Sequence, residues 1–379
     1  MERNIVHMDL DTFFVSVERL KNGVLNGKPV IIGGSSDRGV VASCSYEARK
    51  FGVHSAMPMK LARRLCPSAY YVKGDFDSYS KYSKMVTDVI RDQVPVVEKA
   101  SIDEFYLDLT GMDRFFGCQK YTKELKTRIY NETGLPLSCA LAVNKLISKI
   151  ATQDAKPNGQ MNIPFGTERP YIAPLSIKRM PGIGDKTAVL LERMGVDSIK
   201  LLSEIPMKMM QNLLGKPGLD LSRKAKGIDN SPVIPYSEQK SIGSETTFES
   251  DTIDPKFIRS QLIRLTEKVA FEMRKNQKLC GCITVKLRYS NFDTFSRQTV
   301  IPYTNSDEVL IDRAKDLFDR LLEKRMLVRL IGVKLSHLIQ GFQQIDLFTD
   351  TEENVNLYQA LDKIKTRFGE KTIIRAISL

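Results

Sequence analysis

No apolar run in the 379-residue chain approaches the ~20 residues needed to cross a bilayer. Glu2, Arg3, His7 and Asp9 interrupt the only place where a signal peptide could begin. A cytoplasmic protein with no membrane attachment is expected. Cysteine is sparse and scattered: Cys44, Cys66, Cys118, Cys139, Cys280 and Cys282 lack metal-ligand spacing. Cys280-Gly-Cys282 is too tight for a zinc knuckle, and on a strand both thiols would share one face. Reduced thiols packed as small apolar groups are expected.

What is present is a globular composition, 42% apolar and 27% charged, on a chain long enough for two to four domains. The net charge is +12, and its excess is uneven. Residues 19–75 carry ten Lys or Arg against Asp37, Glu47 and Asp75, and residues 240–341 carry eighteen basic against thirteen acidic side chains. Such an excess favours a polyanionic partner, nucleic acid first.

Two short acidic segments carry the chemistry: Met8-Asp9-Leu10-Asp11-Thr12-Phe13-Phe14 and Ser101-Ile102-Asp103-Glu104-Phe105-Tyr106-Leu107-Asp108. Apolar neighbours make each read as a strand that delivers carboxylates to its exposed end. Acids gathered there raise one another's pKa unless cations compensate, and a magnesium pair about 3.5–4 Å apart is the usual compensation in phosphoryl transfer. Asp9, Asp103 and Glu104 are the candidate ligands, with the Leu10 carbonyl as a further hard oxygen. On a regular strand Asp103 and Glu104 face opposite sides, so Asp103 is expected to bridge the ions with Asp9 while Glu104 reaches one of them from a twisted strand end. Asp11 and Asp108 read as structural.

Around these segments, strands are predicted at 3–10, 28–34, 39–44, 102–109 and 137–143, with helices from Phe13, at 45–51, 58–65, 77–93 and 118–132. That order suits an antiparallel sheet with helices on one face, a ferredoxin-like palm. Ser45-Tyr46-Glu47-Ala48-Arg49 opens a helix, putting Tyr46 and Arg49 on one face near its positive end, a fit for β- and γ-phosphates; an Arg–Glu surface pair is the alternative. Lys156, in Ala155-Lys156-Pro157-Asn158-Gly159, reads as a third phosphate ligand once a triphosphate is assumed.

From about 167 the pattern changes to short helices broken by Gly and Pro, with hairpin loops read at 180–184 and 214–218. Residues 230–240 read as a linker. A last domain follows, with strands 241–249, 281–289, 295–302 and 328–338 and helices 255–278 and 307–325. Leu357, Leu361, Ile364 and Phe368 then recur at helical spacing, an apolar stripe expected to pack against the body.

The set MDLDTFF, SYEARKFG, SIDEFYLDL and AKPNG, in this order and spacing over residues 3–348, resembles the Y-family translesion DNA polymerases. The resemblance implies an α+β right hand: palm at 1–12 and 76–166 with a ferredoxin-like sheet, small fingers at 13–75, a helical thumb with a helix-hairpin-helix at 167–232, a linker at 233–240, a little finger of one sheet and two helices at 241–341, and a tail at 342–379. It makes Asp9, Asp103 and Glu104 the catalytic carboxylates and two Mg2+ ions the cofactor. Phe14 becomes the sugar discriminator, with Phe13, Tyr46, Arg49 and Lys156 on the nucleotide.

Gly182, Ile183 and Gly184 look like the phosphate-binding turn of the hairpin thumb. Gln344-Ile345-Asp346-Leu347-Phe348 looks like a sliding-clamp peptide, with Gln344, Leu347 and Phe348 as anchors on the clamp's beta subunit. Primer-template DNA and dNTP are the implied substrates. A monomer is the implied state, and synthesis without proofreading, of low fidelity, is the implied activity. A nucleotidyl cyclase on the same type of palm and a non-catalytic DNA-binding relative are the alternatives.

Overall fold

Ile5–Leu10 forms strand β1, buried along its whole length because its alternating side chains serve two covered faces. Val6, Met8 and Leu10 enter a core shared with the helices Phe76–Gln93 and Cys118–Thr133. His7 and Asp9 alternate to the other face, where the helix Lys145–Ala155 packs and Thr152 donates to the His7 carbonyl. The structure, a computed structural model, describes residues 3–34, 36–112, 117–322, 326–341, 351–369 and 372–376. Its contacts fall into two units, Met1–Ser237 and Glu238–Leu379.

In the first unit the later strands are β2 (Val30–Gly33), β3 (Val41–Cys44), β4 (Tyr70–Lys73), β5 (Val97–Lys99), β6 (Glu104–Asp108), β7 (Leu137–Ala142) and β8 (Gln160–Asn162). The main sheet runs β5-β6-β1-β7-β8, antiparallel except for the β7–β8 edge, and a small sheet runs β3-β2-β4. This is the α+β layering expected, with three short edge strands, β4, β5 and β8, that are too brief to show as periodic patterns. The helix Lys145–Ala155 was also not predicted. Asn144 caps it by accepting from the Ile147 amide, and Ile147, Ile150 and Ala151 bury against the short helices that follow.

Within those short helices the segment 214–218 is not a hairpin loop. Gly215, at φ +67, alone separates the helices Met207–Leu214 and Lys216–Lys224. Gly218 lies inside the second helix, where a Cβ would come within 2.0 Å of the Met210 carbonyl oxygen. That close approach, and not a turn, is what the glycine permits.

The second unit is one antiparallel sheet in the order β11-β10-β12-β9, built from β9 (Ser241–Thr252), β10 (Lys278–Tyr289), β11 (Thr294–Thr304) and β12 (Val328–Gln340). The helices Pro255–Lys275 and Asp307–Asp319 supply Ile258, Leu262, Val269, Leu310 and Phe318 to its core. All six cysteines are buried thiols outside any disulfide.

The C-terminal helix Thr351–Phe368 overturns its apolar-stripe reading. Leu357, Ile364 and Phe368 are exposed, and the face that docks carries Tyr358, Asp362 and Lys365. The reason is Arg274, a buried guanidinium that needs acceptors. It donates to both Asp362 oxygens at 2.7 and 2.9 Å, to Asp307, and to the Asn305 carbonyl at 3.0 Å, with its face over the Tyr358 ring. Arg274→Ala should cost about 3–5 kcal/mol, because Asp307 would be left buried without its partner. Urea unfolding of the full chain, read on the second unit, checks this; a loss below 1 kcal/mol would refute the role given to the fork.

Candidate active site

Asp9 and Glu104 sit directly opposite each other in the β1–β6 register, so their side chains leave the same face of the sheet. Asp103 is not on a strand. Ser101–Asp103 form a bend before β6, which replaces the expected strand and its alternation with a turn that aims each carboxylate separately. Ser101 Oγ holds that bend: it donates to Asp103 Oδ1 at 2.5 Å and accepts from the amides of Asp103 and Glu104 at 3.2 and 3.0 Å.

The bend has a second effect. The Leu10 amide donates to the Asp103 carbonyl at 3.0 Å, but the Asp103 amide turns to Ser101, so the Leu10 carbonyl lacks its reciprocal ladder donor.

Charge is concentrated here. Burial, followed by the nearby charges of Asp103 and Glu104, outweighs Lys156 and pushes the Asp9 carboxyl up to about 6. The Glu104 carboxyl is held low, at about 2, by the His7 imidazole 3.9 Å away and by Lys149, whose ammonium donates at 2.7 Å. At 3.9 Å the imidazole is past hydrogen-bond length, so the ammonium makes the bond. His7 is wholly buried, neither ring nitrogen has a hydrogen-bond partner among the described residues, and burial lowers its pKa.

Lys156 donates to Asp9 Oδ1. Three carboxylates and a main-chain carbonyl without its donor form an all-oxygen set suited to a hard divalent cation, and the raised Asp9 marks where compensating charge is still lacking. Among the described residues no three His, Cys, Asp or Glu side chains already converge as a closed cage; the two lysines hold the carboxylates in this structure.

Asp11, read as structural, is the hub that fixes the surroundings. It accepts from Ser138 Oγ at 2.9 and 3.0 Å, from the Asn158 amide at 2.7 Å and from the Tyr46 hydroxyl at 3.0 Å. Tyr46 therefore points toward the carboxylate end of β1, and Arg49 lies over its ring at 5.0 Å. Asp108 makes an Asx turn, its side chain accepting from the Thr110 amide at 3.0 Å.

Between Asp11 and the helix Phe13–Lys21, Thr12 adopts φ 43 and ψ 48, left-handed backbone that costs a β-branched residue about 1–3 kcal/mol. This sharp exit separates the two phenylalanines. Phe13 is buried in the main core, whereas Phe14 is half-buried and stacks on Tyr79 at 4.3 Å and 14°, with Phe76 edge-on at 5.6 Å. The Tyr79 hydroxyl is tied to Glu18 at 2.9 Å.

Farther along, Gly182 takes φ +102 and Gly184 caps the helix Asp185–Arg193. The Ile183 side chain is buried in the helical core, so only backbone is offered there. Gln344, Leu347 and Phe348 lie outside the described residues.

Residues 8–153 match the impB/mucB/samB family, and 239–347 match that family's C-terminal domain. DNA polymerase IV of Dehalococcoides mccartyi (strain CBDB1) is 39% identical over 376 residues, covering 98% of this chain and 96% of the relative. That of Halorhodospira halophila is 37% identical over 353 residues, covering 92% and 98%. Among solved structures, a Y-family DNA polymerase chimera of Dbh and Dpo4 overlays 89% of this chain and 100% of its own at 29% identity, with a TM-score of 0.82.

The chain belongs to the Y family of DNA polymerases. It is a DNA-directed DNA polymerase of the translesion class, similar to DNA polymerase IV over nearly its full length.

Sequence reasoning missed three residues of this polymerase's carboxylate cluster. Lys149 stands seven residues before Lys156, a two-turn spacing that could have flagged a pair of cations on one side of the site. His7, two residues before Asp9 on the same strand face, was readable from alternation alone. Ser101 gave no signal, because its role depends on the bend.

Proposed function

We propose that this polymerase adds deoxynucleotides to a primer 3′-hydroxyl under template direction, without proofreading, at the Asp9, Asp103 and Glu104 cluster. The observation that carries the reading is the register pairing of Asp9 with Glu104, with Asp103 turned in beside them and the Asp9 carboxyl raised first by its burial and then by their charge. Two Mg2+ ions held by these carboxylates and the Leu10 carbonyl would supply activation of the attacking hydroxyl and neutralisation of the departing pyrophosphate.

The chain's own groups do the rest. Tyr46 and Arg49 orient phosphate oxygens, and Lys156, within reach of Asp9, offers an ammonium to the same triphosphate. Phe14, with Phe13 behind it, forms the wall beneath the sugar. Asp11 holds Tyr46 in place.

In this reading the five-stranded sheet is the palm, the small sheet with residues 13–75 the fingers, residues 167–232 the thumb, and the second unit the little finger. Primer extension with dNTP on a primed template, run beside assays for cyclic nucleotide and for degradation of a mismatched 3′ end, tests it. Extension alone is expected, and a cyclic product with no extension would replace the reading.

Gly182-Ile183-Gly184 is assigned to backbone contact with DNA phosphates. Gly182→Val adds a β-branched side chain at positive φ, and should weaken duplex binding several-fold while leaving the rate on saturating DNA within about twofold. Fluorescence anisotropy beside single-turnover extension separates the two, and unchanged binding would remove the turn from the interface.

Gln344, Leu347 and Phe348 are assigned to the beta subunit of a sliding clamp, and the polymerase to a cytoplasmic monomer. Deleting Leu347 and Phe348 should abolish stimulation by the clamp and leave basal extension unchanged; stimulation that survives would show that docking lies elsewhere.

A further inference from the structure

The bend Ser101–Asp103 is also held from the core side of the sheet. Ser83, buried on the helix Phe76–Gln93, donates its hydroxyl proton to the Ile102 carbonyl at 2.5 Å. That helix packs against Phe105 and Leu107, on the face opposite to Asp9 and Glu104.

Lys99, on β5, sets the direction of this bond. Its ammonium donates to the Ser83 hydroxyl oxygen at 2.7 Å and to the Thr87 hydroxyl oxygen at 3.0 Å. An ammonium has donors and no acceptor, so both hydroxyls receive it and turn their own protons away. Thr87 directs its proton to the Ser83 carbonyl at 2.6 Å, and Ser83 directs its own to Ile102. The charge-assisted bond on the Ser83 oxygen polarises the O–H and strengthens its donation.

The consequence falls on Asp103. Two peptide planes flank its Cα, and each is fixed at both ends. In the plane before it, the Ile102 carbonyl accepts from Ser83 and the Asp103 amide donates to Ser101 Oγ at 3.2 Å. In the plane after it, the Asp103 carbonyl accepts from the Leu10 amide at 3.0 Å and the Glu104 amide donates to Ser101 Oγ at 3.0 Å. With both planes set, φ and ψ of Asp103 are set, and with them the direction of its Cα–Cβ bond. Of these four bonds, the one from Ser83 comes from outside the sheet and its bend.

We propose that Ser83, oriented by Lys99, is a positioning residue for Asp103, anchoring the peptide plane that aims its carboxylate at the reacting phosphate. This inference rests on the catalytic role proposed for Asp103. Loss of the hydroxyl orphans the Ile102 carbonyl and frees that plane to rotate, and a displacement of about 1 Å at a reacting group is enough to cost much of the rate.

Hydrogen exchange on the metal-free full chain, beside steady-state primer extension, tests the proposal. Ser83→Ala should speed exchange of the Asp103 and Glu104 amides about tenfold, while the amides of the helix around it keep the parent's protection. It should lower kcat about tenfold, with KM for dNTP and affinity for primer-template DNA within about twofold of the parent. Lys99→Met, at an exposed position, should move the same amides and kcat in the same direction by a smaller factor.

Exchange at the parent's rate in both variants would overturn the role. Faster exchange spread over the whole helix Phe76–Gln93 would do the same, making Ser83 a packing residue. Asp103→Ala in the same assays separates this inference from the reading beneath it. If Asp103→Ala extends at the parent's rate, the proposed function falls; if it is inactive while Ser83→Ala behaves as the parent, the positioning role alone falls.

Discussion

Asp103→Ala is expected to lower primer extension by about a thousandfold or more, since each 1.36 kcal/mol of lost transition-state stabilisation is tenfold in rate and a metal site supplies several kcal/mol. Of the three carboxylates it gives the cleanest test. Asp9 and Glu104 are each bonded to a lysine and partly buried, so removing either leaves an unpaired ammonium and changes stability as well as chemistry. Among the described residues the Asp103 side chain is bonded to Ser101 alone, in a local bend, and its loss should leave the stability within about 1 kcal/mol of the parent.

Affinity for primer-template DNA should be retained, which anisotropy would show in the same preparation. Full-rate extension by Asp103→Ala would mean that the reacting phosphate sits elsewhere, and the proposed function would fall with it. Asp9→Asn and Glu104→Gln should match the kinetic loss.

The second large effect is on the choice of sugar. Phe14→Ala should raise incorporation of ribonucleotides relative to deoxynucleotides on the order of 10²-fold, because forcing an extra atom against a packed ring costs about 1–3 kcal/mol and the truncation removes that cost. The ring has the fixed position this requires, with Tyr79 stacked on one face and Phe76 on its edge. Deoxynucleotide incorporation should fall much less, since the carboxylates, Tyr46 and Arg49 are untouched. The ratio of kcat/KM for rNTP and dNTP measures it. If that ratio stays within twofold of the parent, Phe14 is a packing residue and the sugar is excluded by other means.

These effects differ in how much of their basis a reader of the sequence could see. Asp9 at the end of β1 was legible because apolar alternation marks a strand and a carboxylate on it stands out. The sheet and the two helices of the second unit were legible for the same reason, with boundaries displaced by a few residues: the strand read at 281–289 begins at Lys278, and the helix read to 325 ends at Asp319. The helix Lys145–Ala155 escaped notice, although it carries Lys149. The C-terminal helix was read by its apolar stripe and docks by its polar one, because Arg274 and its acceptors are far apart in sequence and their mutual need is invisible until they meet.

The amino-acid order alone determined which local elements form and which of them bear chemistry, since hydrophobic period, capping and turn propensity act over a few residues. Tertiary structure decided what surrounds each charge. It set Glu104 opposite Asp9, turned Asp103 off the strand, and brought Lys149 and Lys156 to the pair. Those outcomes depend on burial and on Coulomb interactions between residues distant along the chain, and both are properties of position in space.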